Sequence, residues 1–265
     1  MLTVATLNIL NDLSLWRQRA PLIVEGLRTA QPDLIALQEV ALPLNNAQWI
    51  AEQLDGYSVH LCPKTGEMGQ RESLAILSRL PVEEHAILSL IEQDRVAQQV
   101  LVSHGDTRCA FANTHLYWNP WDDAPRLGQA RRLLEWLPRD VPTIVCGDFN
   151  AEPHFATIST MRERFVSAYA VRHGRDPDYT CPTPLLYAQW WTFRGMRNAF
   201  KHFVLSVLAN RTPRPWRGTL DYFFVDRAMQ VEHCEVVFNR PSPKNDRLYP
   251  SDHFGLMAKI RLELQ

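Results

Sequence analysis

The sequence predicts a sheet-rich α/β protein in which two sheets pack face to face with helices outside. Three observations predict it. Short runs rich in Val, Ile, Leu and Phe outnumber helical patterns along the chain. The few helical patterns lie between those runs rather than in a block of their own. Apolar residues make up 46% of a 265-residue chain, enough for a sizeable core. Many short strands with helices between them bury best as sheet on sheet with helices on the outer faces.

The elements follow in order. A first strand is expected at Leu2–Leu7. Residues 17–30 place Ile23, Leu27 and Ala30 at helical spacing, and Gln31-Pro32-Asp33 stops that helix. Leu34–Leu37 reads as a buried strand. Residues 46–54 bring Ile50 and Leu54 together as a second helix. Tyr57–Leu61, Leu74–Leu77, Ala97–Ser103 and Arg108–Thr114 read as strands. A third helix over 126–137 carries Leu127, Ala130, Leu133, Leu134 and Leu137, with Pro138 beyond its end. Thr143–Cys146, Asp221–Val225, Val231–Phe238 and Gly255–Leu262 complete the strands. No internal repeat, low-complexity tract or Gly/Ser linker divides the chain, so residues 1–265 are expected to form a single domain.

Charge and cysteines narrow the class. Lys plus Arg number 28 and Asp plus Glu 29, a formal net charge of -1, so contact with a polyanion must use a local patch. No run of about 18 apolar residues predicts a membrane span. Met1-Leu2-Thr3-Val4-Ala5-Thr6 lacks a basic stretch followed by a long apolar one. The five cysteines are odd in number and far apart, which argues against a disulfide framework and a thiolate zinc site. A cytoplasmic location is the expectation.

Polar residues close several apolar strands. Asn8 follows the first, Gln38 and Glu39 the second, and Asn113 and His115 flank the end of another. Asp148 and Asn150 follow Ile144-Val145-Cys146-Gly147, and Asp252-His253 precede Phe254-Gly255-Leu256. Any one of these alone is more often a turn residue or a hydrogen-bonded structural group. Together they predict convergence at one rim of the sheets. Carboxylates and amide oxygens without thiolates favour magnesium or manganese. Two histidines beside carboxylates suit hydrolysis of a phosphate ester.

These residues resemble the endonuclease/exonuclease/phosphatase superfamily. The matching pieces, in order, are Thr6-Leu7-Asn8, Leu37-Gln38-Glu39-Val40, Asn113-Thr114-His115-Leu116, Gly147-Asp148-Phe149-Asn150, Leu220-Asp221-Tyr222-Phe223-Phe224-Val225 and Ser251-Asp252-His253. The resemblance implies a four-layer α/β/β/α sandwich of two mixed, mainly antiparallel sheets, with the site at one end. It implies that Glu39 is the principal metal carboxylate with Asn8 beside it, and that Asp252 also faces the metal. It implies that Asp148 orients or deprotonates water and that Asn150 donates to the phosphate. His253 is implied to face the scissile phosphate, paired with Asp221. His115 is implied to be a second phosphate-facing histidine, oriented by an upstream carboxylate for which Glu72 is the match. A surface location for Glu72 is the competing expectation.

Within the superfamily, Asn11-Asp12 with Trp16-Arg17-x-Arg19, the run Asn113 to Pro120 followed by Arg126 and Gln129, and Tyr249 to Phe254 resemble the deadenylase, nocturnin and 2′-phosphodiesterase branch. Glu72-Ser73 replaces that branch's usual Asp-Gly. The expected activity is hydrolysis of a phosphodiester in RNA ends or nucleotides, with a phosphomonoesterase or a sphingomyelinase-like lipid phosphodiesterase as the alternatives. A non-catalytic binding module is disfavoured because every implied site residue is present. No obligate protein partner is evident.

Residues 179–220 contain no Asp or Glu but are rich in basic and aromatic residues. Three readings of this insertion stand: a substrate wall using Arg194, Arg197 and Trp190, a basic amphipathic helix over 195–211 meeting a membrane, or a packing helix with a solvated rim. The loop after His115 poses a smaller choice. Trp118 and Trp121 either line the pocket mouth or brace the turn by packing their indoles.

Overall fold

Strands whose apolar side chains point to both faces must be covered on both, and this chain covers each with a different layer. The computed structural model describes residues 1–105, 107–187, 196, 197, 200, 203, 204, 207 and 216–262. One sheet runs in the order β11 (Gln230–Val237), β12 (Gly255–Arg261), β1 (Leu2–Asn8), β2 (Leu34–Ala41), β4 (Glu72–Ser78), β3 (Ser58–Pro63). The other runs β5 (Val82–Ser89), β6 (Val96–His104), β7 (Thr107–His115), β8 (Thr143–Asp148), β10 (Asp221–Asp226), β9 (Phe165–Ser167). Val4, Ala36, Val100, Phe111, Ile144, Phe223 and Ala258 meet between the sheets. Helices α1 (Trp16–Ala30) and α2 (Asn46–Glu52) cover the first sheet through Ile23, Leu27 and Ile50. Helices α3 (Ala124–Trp136) and α4 (Ala156–Arg164) cover the second through Leu133 and Ile158. The result is the predicted four-layer α/β arrangement of two mixed six-stranded sheets.

The two sheets share one plan. At the centre of each lies a parallel pair joined by a helix: β1 and β2 through α1, β7 and β8 through α3. The other pairings are antiparallel. Helix α1 stops where the sequence predicts. Gln31 takes a left-handed conformation (φ 44°) and donates to Leu27 O, and Pro32 follows.

Elements without an apolar signal were not predicted. β5 is an edge strand carrying Glu83, Glu84 and His85, charges that blunt an edge but erase alternation. β9 is three residues long, and α4 and the short α5 (Ala168–His173) have weak helical periodicity.

Between Leu37 and Val40 the pairing of β2 with β4 shifts register. Glu39 sits in this bulge with φ +58°. A bulge re-aims a side chain. The fully buried Asn113, on the opposite sheet, lies beside it: its Nδ2 donates to Leu37 O and Ala75 O, each at 3.0 Å. Its Oδ1 accepts from Gln38 Nε2 at 2.7 Å, and Gln38 also donates to Thr6 Oγ1 at 3.0 Å. Gly147 provides a second close approach. With φ +131°, an added Cβ would lie 2.0 Å from Thr114 O.

Replacing Asn113 with Leu keeps the volume but orphans these buried partners. Asn113→Leu is expected to cost about 2 kcal/mol or more, read as a fall in denaturant midpoint. An unchanged midpoint would show that the network contributes nothing to holding the sheets.

Candidate active site

One rung of the second sheet sets three of the predicted groups side by side. Asp148 on β8 pairs with His115 on β7 and with Asp221 on β10. Directly opposed residues in a sheet project to the same face, so register alone brings the three together. In the first sheet, Asn8 pairs with Gln38, and the bulge turns Glu39 toward the same rim.

Asn8 joins the two sheets. Its Nδ2 donates to Glu39 Oε1 at 3.2 Å and to Asp148 Oδ2 at 3.1 Å. Asp148 Oδ1 accepts the backbone N–H of Asn150 at 2.8 Å, and Asn150 Nδ2 donates to Leu116 O at 3.1 Å. Both imidazoles approach Asp148 Oδ2, with His115 Nε2 at 3.4 Å and His253 Nε2 at 3.8 Å. His253 Nδ1 hydrogen-bonds Asp221 Oδ2 at 2.9 Å, and Thr180 Oγ1 donates to the same oxygen at 2.6 Å. Asp252 neighbours Glu39, and its Oδ1 accepts from Ser251 Oγ at 3.2 Å.

Glu72 is buried, which excludes a surface location. It does not meet His115 as expected. Its carboxylate is occupied by Lys64 Nζ at 2.5 Å and Asn11 Nδ2 at 2.7 Å, with Arg95 Nη1 at 3.9 Å. His115 Nδ1 is left without a hydrogen-bond partner. A flexible ammonium close by outcompetes an imidazole for the carboxylate.

Their surroundings shift the two histidines in opposite directions. Burial opposes protonation of His253, but Cys181, Asp221 and Asp148 outweigh it and raise its pKa well above the usual value. Burial pushes the Cys181 thiol up to about 11, so the carboxylates supply the pull at neutral pH. Burial lowers the pKa of His115 well below the usual value, and Arg95, Lys64 and His253 reinforce it. Burial raises Asp148 to about 7; Asp221 adds to this while His253 opposes it. Burial, then the charges of Asp252 and Glu72, raises Glu39.

Lys64 and Arg95 carry no sequence signal as site residues, since each is an isolated cation beside a turn. Yet Arg95 is buried among Glu72, Asp148 and Glu39, and its Nε and Nη1 lack hydrogen-bond partners. Asn11, which also donates its backbone N–H to Glu39 Oε2 at 3.0 Å, was legible only as part of a motif. Trp190 and Arg194 lie outside the described residues, as does most of 195–211. Arg197 is exposed, as are Met196, Phe200 and Phe203. At the ends of the insertion, Cys181 bridges Gly218, and Thr180 Oγ1 accepts the N–H of Leu220 and of Asp221.

Two groups of side chains could hold a cation. Asp148, Asp221 and His253 offer atoms within 4.8 Å of one another. His253 Nδ1 and Asp221 Oδ2 already bond each other, whereas the buried Asp221 Oδ1 has no hydrogen-bond partner. Glu39, Asp252 and Asn8 form an oxygen-rich set in which neighbouring carboxylates repel, and this suits a hard divalent ion.

Residues 5–253 match the model of the Endonuclease/Exonuclease/phosphatase family. Nocturnin of Mus musculus is 27% identical over 275 residues, covering 92% of this chain and 58% of its own length. The 2',5'-phosphodiesterase 12 of Mus musculus is 27% identical over 210 residues, 70% of this chain and 32% of its own length. The chain thus spans little more than half the length of nocturnin and about a third of that of 2',5'-phosphodiesterase 12. The human nocturnin catalytic domain with bound sulfate superposes with a TM-score of 0.73 at 23% identity, covering 99% of this chain and 94% of that one. Humanized D. rerio TDP2 reaches a TM-score of 0.76 at 16% identity, covering 98% of each chain. No helix among the described residues is long and apolar enough to cross a membrane. With the family model matched over residues 5–253, the chain belongs to the endonuclease/exonuclease/phosphatase family.

Proposed function

We propose that the chain is a divalent-metal-dependent phosphodiesterase that acts on RNA ends or nucleotides by attack of water at phosphorus. The observation that carries this reading is Asp148, one carboxylate bonded to Asn8 and the Asn150 N–H and approached by two imidazoles, His115 and His253. A carboxylate held near pKa 7 is poised to accept a proton from water. Asn8 and the Asn150 amide fix its direction. His253, kept protonated by Asp221 and Asp148, presents positive charge to phosphoryl oxygens as their charge grows. The hydrogen bond at Nδ1 orients that ring. His115 is neutral and adds a hydrogen-bonding imidazole without repelling His253. A magnesium or manganese ion held by Glu39, Asn8 and Asp252 would neutralise phosphate charge and acidify bound water. The similarity to nocturnin and 2',5'-phosphodiesterase 12 supports a nucleotide or RNA substrate.

A phosphomonoester is the second reading. Arg95, which meets Glu72 only at ion-pair distance and keeps Nε and Nη1 without hydrogen bonds, favours a phosphate with an extra charge. The lipid reading rests on 195–211, where Met196, Phe200 and Phe203 are exposed beside Arg197 and most other positions lie outside the described residues.

Initial rates on a short oligoadenylate and on a nucleoside monophosphate separate these readings. Under the first, the diester is cut in magnesium and the monoester is not. Chelator is expected to abolish turnover, and Asp148→Asn and His253→Ala are each expected to lower kcat by about 100-fold or more. Near-native rates from either variant would remove its assigned role.

Metal binding has a second readout. Asp148 rises from 3.8 to about 7 on folding, so the metal-free protein binds more protons than the unfolded chain between those values. That contribution to stability is present at low pH and is lost as pH rises toward 7. Glu39 shifts in the same direction. A divalent ion competes with these protons. The Tm increase caused by magnesium should therefore be larger at pH 8 than at pH 5. An increase that is equal at both values, or larger at pH 5, would contradict this assignment.

A further inference from the structure

The loop beyond His115 carries a feature that the chemistry above leaves unused. Trp118 and Trp121 are 53% and 56% exposed, so the turn is not braced by packed indoles. Other groups hold it. Arg126, fully buried on α3, donates through Nη1 to Tyr117 O at 3.3 Å and Asn119 O at 2.8 Å, and through Nε to Asp123 Oδ1 at 3.0 Å. Gln129 Oε1 accepts the Tyr117 N–H at 2.8 Å, and Gln93 Oε1 accepts the Trp118 N–H at 3.1 Å. Asp123 Oδ1 also accepts from Thr157 Oγ1 at 2.7 Å. Two large rings left in water on a backbone pinned at so many points form contact area whose ordering cost is already met by the fold.

Position and charge identify the occupant. Trp118 is three residues past His115, within about 10 Å along an extended chain. Asn150 donates to Leu116 O in the intervening segment. Gln93, which holds Trp118, precedes Arg95 by two residues, and Arg95 carries the unpartnered N–H groups among the site carboxylates. Indoles and buried cation therefore belong to one wall. The rim near the indoles exposes Glu92 and Asp122, which would repel an anionic lipid surface. A neutral planar ring joined to a phosphate fits both ends of this wall.

We propose that Trp118 and Trp121 form a stacking platform for a nucleobase of the substrate, so that a base attached near the scissile phosphate determines specificity. The proposal rests on the nucleotide phosphodiesterase reading and adds what the substrate must carry. Base-on-indole stacking tolerates any base, so the platform selects nucleotides over other phosphoesters without selecting a sequence.

AMP and ribose 5-phosphate share sugar and phosphate and differ by the base, so they isolate this contact. Titration calorimetry on the full chain compares wild type with the Trp118→Ala/Trp121→Ala and Trp118→Phe/Trp121→Phe double variants. Hydrolysis of an adenylate dinucleotide is followed in parallel. Wild type is expected to prefer AMP by about 10-fold or more. The alanine variant should weaken AMP by about 10-fold and leave ribose 5-phosphate unchanged, and the phenylalanine variant should recover most of the loss. Equal weakening of both ligands, an undiminished preference in the alanine variant, or no preference in wild type would overturn the platform. Base-dependent binding without dinucleotide hydrolysis would uphold the platform and defeat the phosphodiesterase reading. Hydrolysis without base preference would do the reverse.

Discussion

The structure depends on one buried amide. A bulge in β2 turns Glu39 toward the rim, and beside it Asn113 reaches across from the other sheet to bond Leu37 O and Ala75 O. Gln38 closes the network from the first sheet. Such a network in a low-dielectric interior specifies one arrangement strongly, because any slip strands several polar groups at once. The contact that keeps the two sheets in register thus lies beside the bulge carrying the proposed metal carboxylate.

Around that joint the two sheets repeat one device. Each central strand–helix–strand unit ends its first strand in a site residue, Asn8 or His115, and each helix returns a buried arginine to the loop that follows. Arg19 donates to Ile9 O, Leu10 O, Asp12 O and Pro250 O, as Arg126 does to Tyr117 O and Asn119 O. The interval from Asn8 to Arg19 equals that from His115 to Arg126. Because one guanidinium satisfies several carbonyls in a fixed plane, the loops bordering the site are rigid without secondary structure. The same framework then brings different groups to the rim: Asn8, Glu39 and His253 from the first sheet and the turn entering it, His115, Asp148 and Asp221 from the second.

Charge is apportioned by neighbours rather than by residue type. His115 and His253 both face Asp148, yet the pKa of the first is lowered and that of the second raised. The difference lies at their second nitrogens and beyond. His253 has Asp221 at Nδ1, whereas His115 has no partner there and faces Arg95 and Lys64. Those two cations hold Glu72, which is why the expected Glu72–His115 pair is not made.

Local pattern determined much of this protein. Strand alternation, helix stops such as Gln31-Pro32 and the order of Asn8, Glu39, His115, Asp148, Asp221 and His253 were legible, because burial and polar strand ends write themselves into contiguous residues. Edge strand β5 was not, because its charges serve the surface and break the period. Lys64 and Arg95 were invisible because nothing in their own segments distinguishes a buried cation from a solvated one; only the carboxylates packed around them do. Tertiary structure also decided the partner of Glu72, the protonation of each histidine and the exposure of Trp118 and Trp121. Each of these depends on distances and desolvation between segments remote in the chain, which no local run of residues encodes.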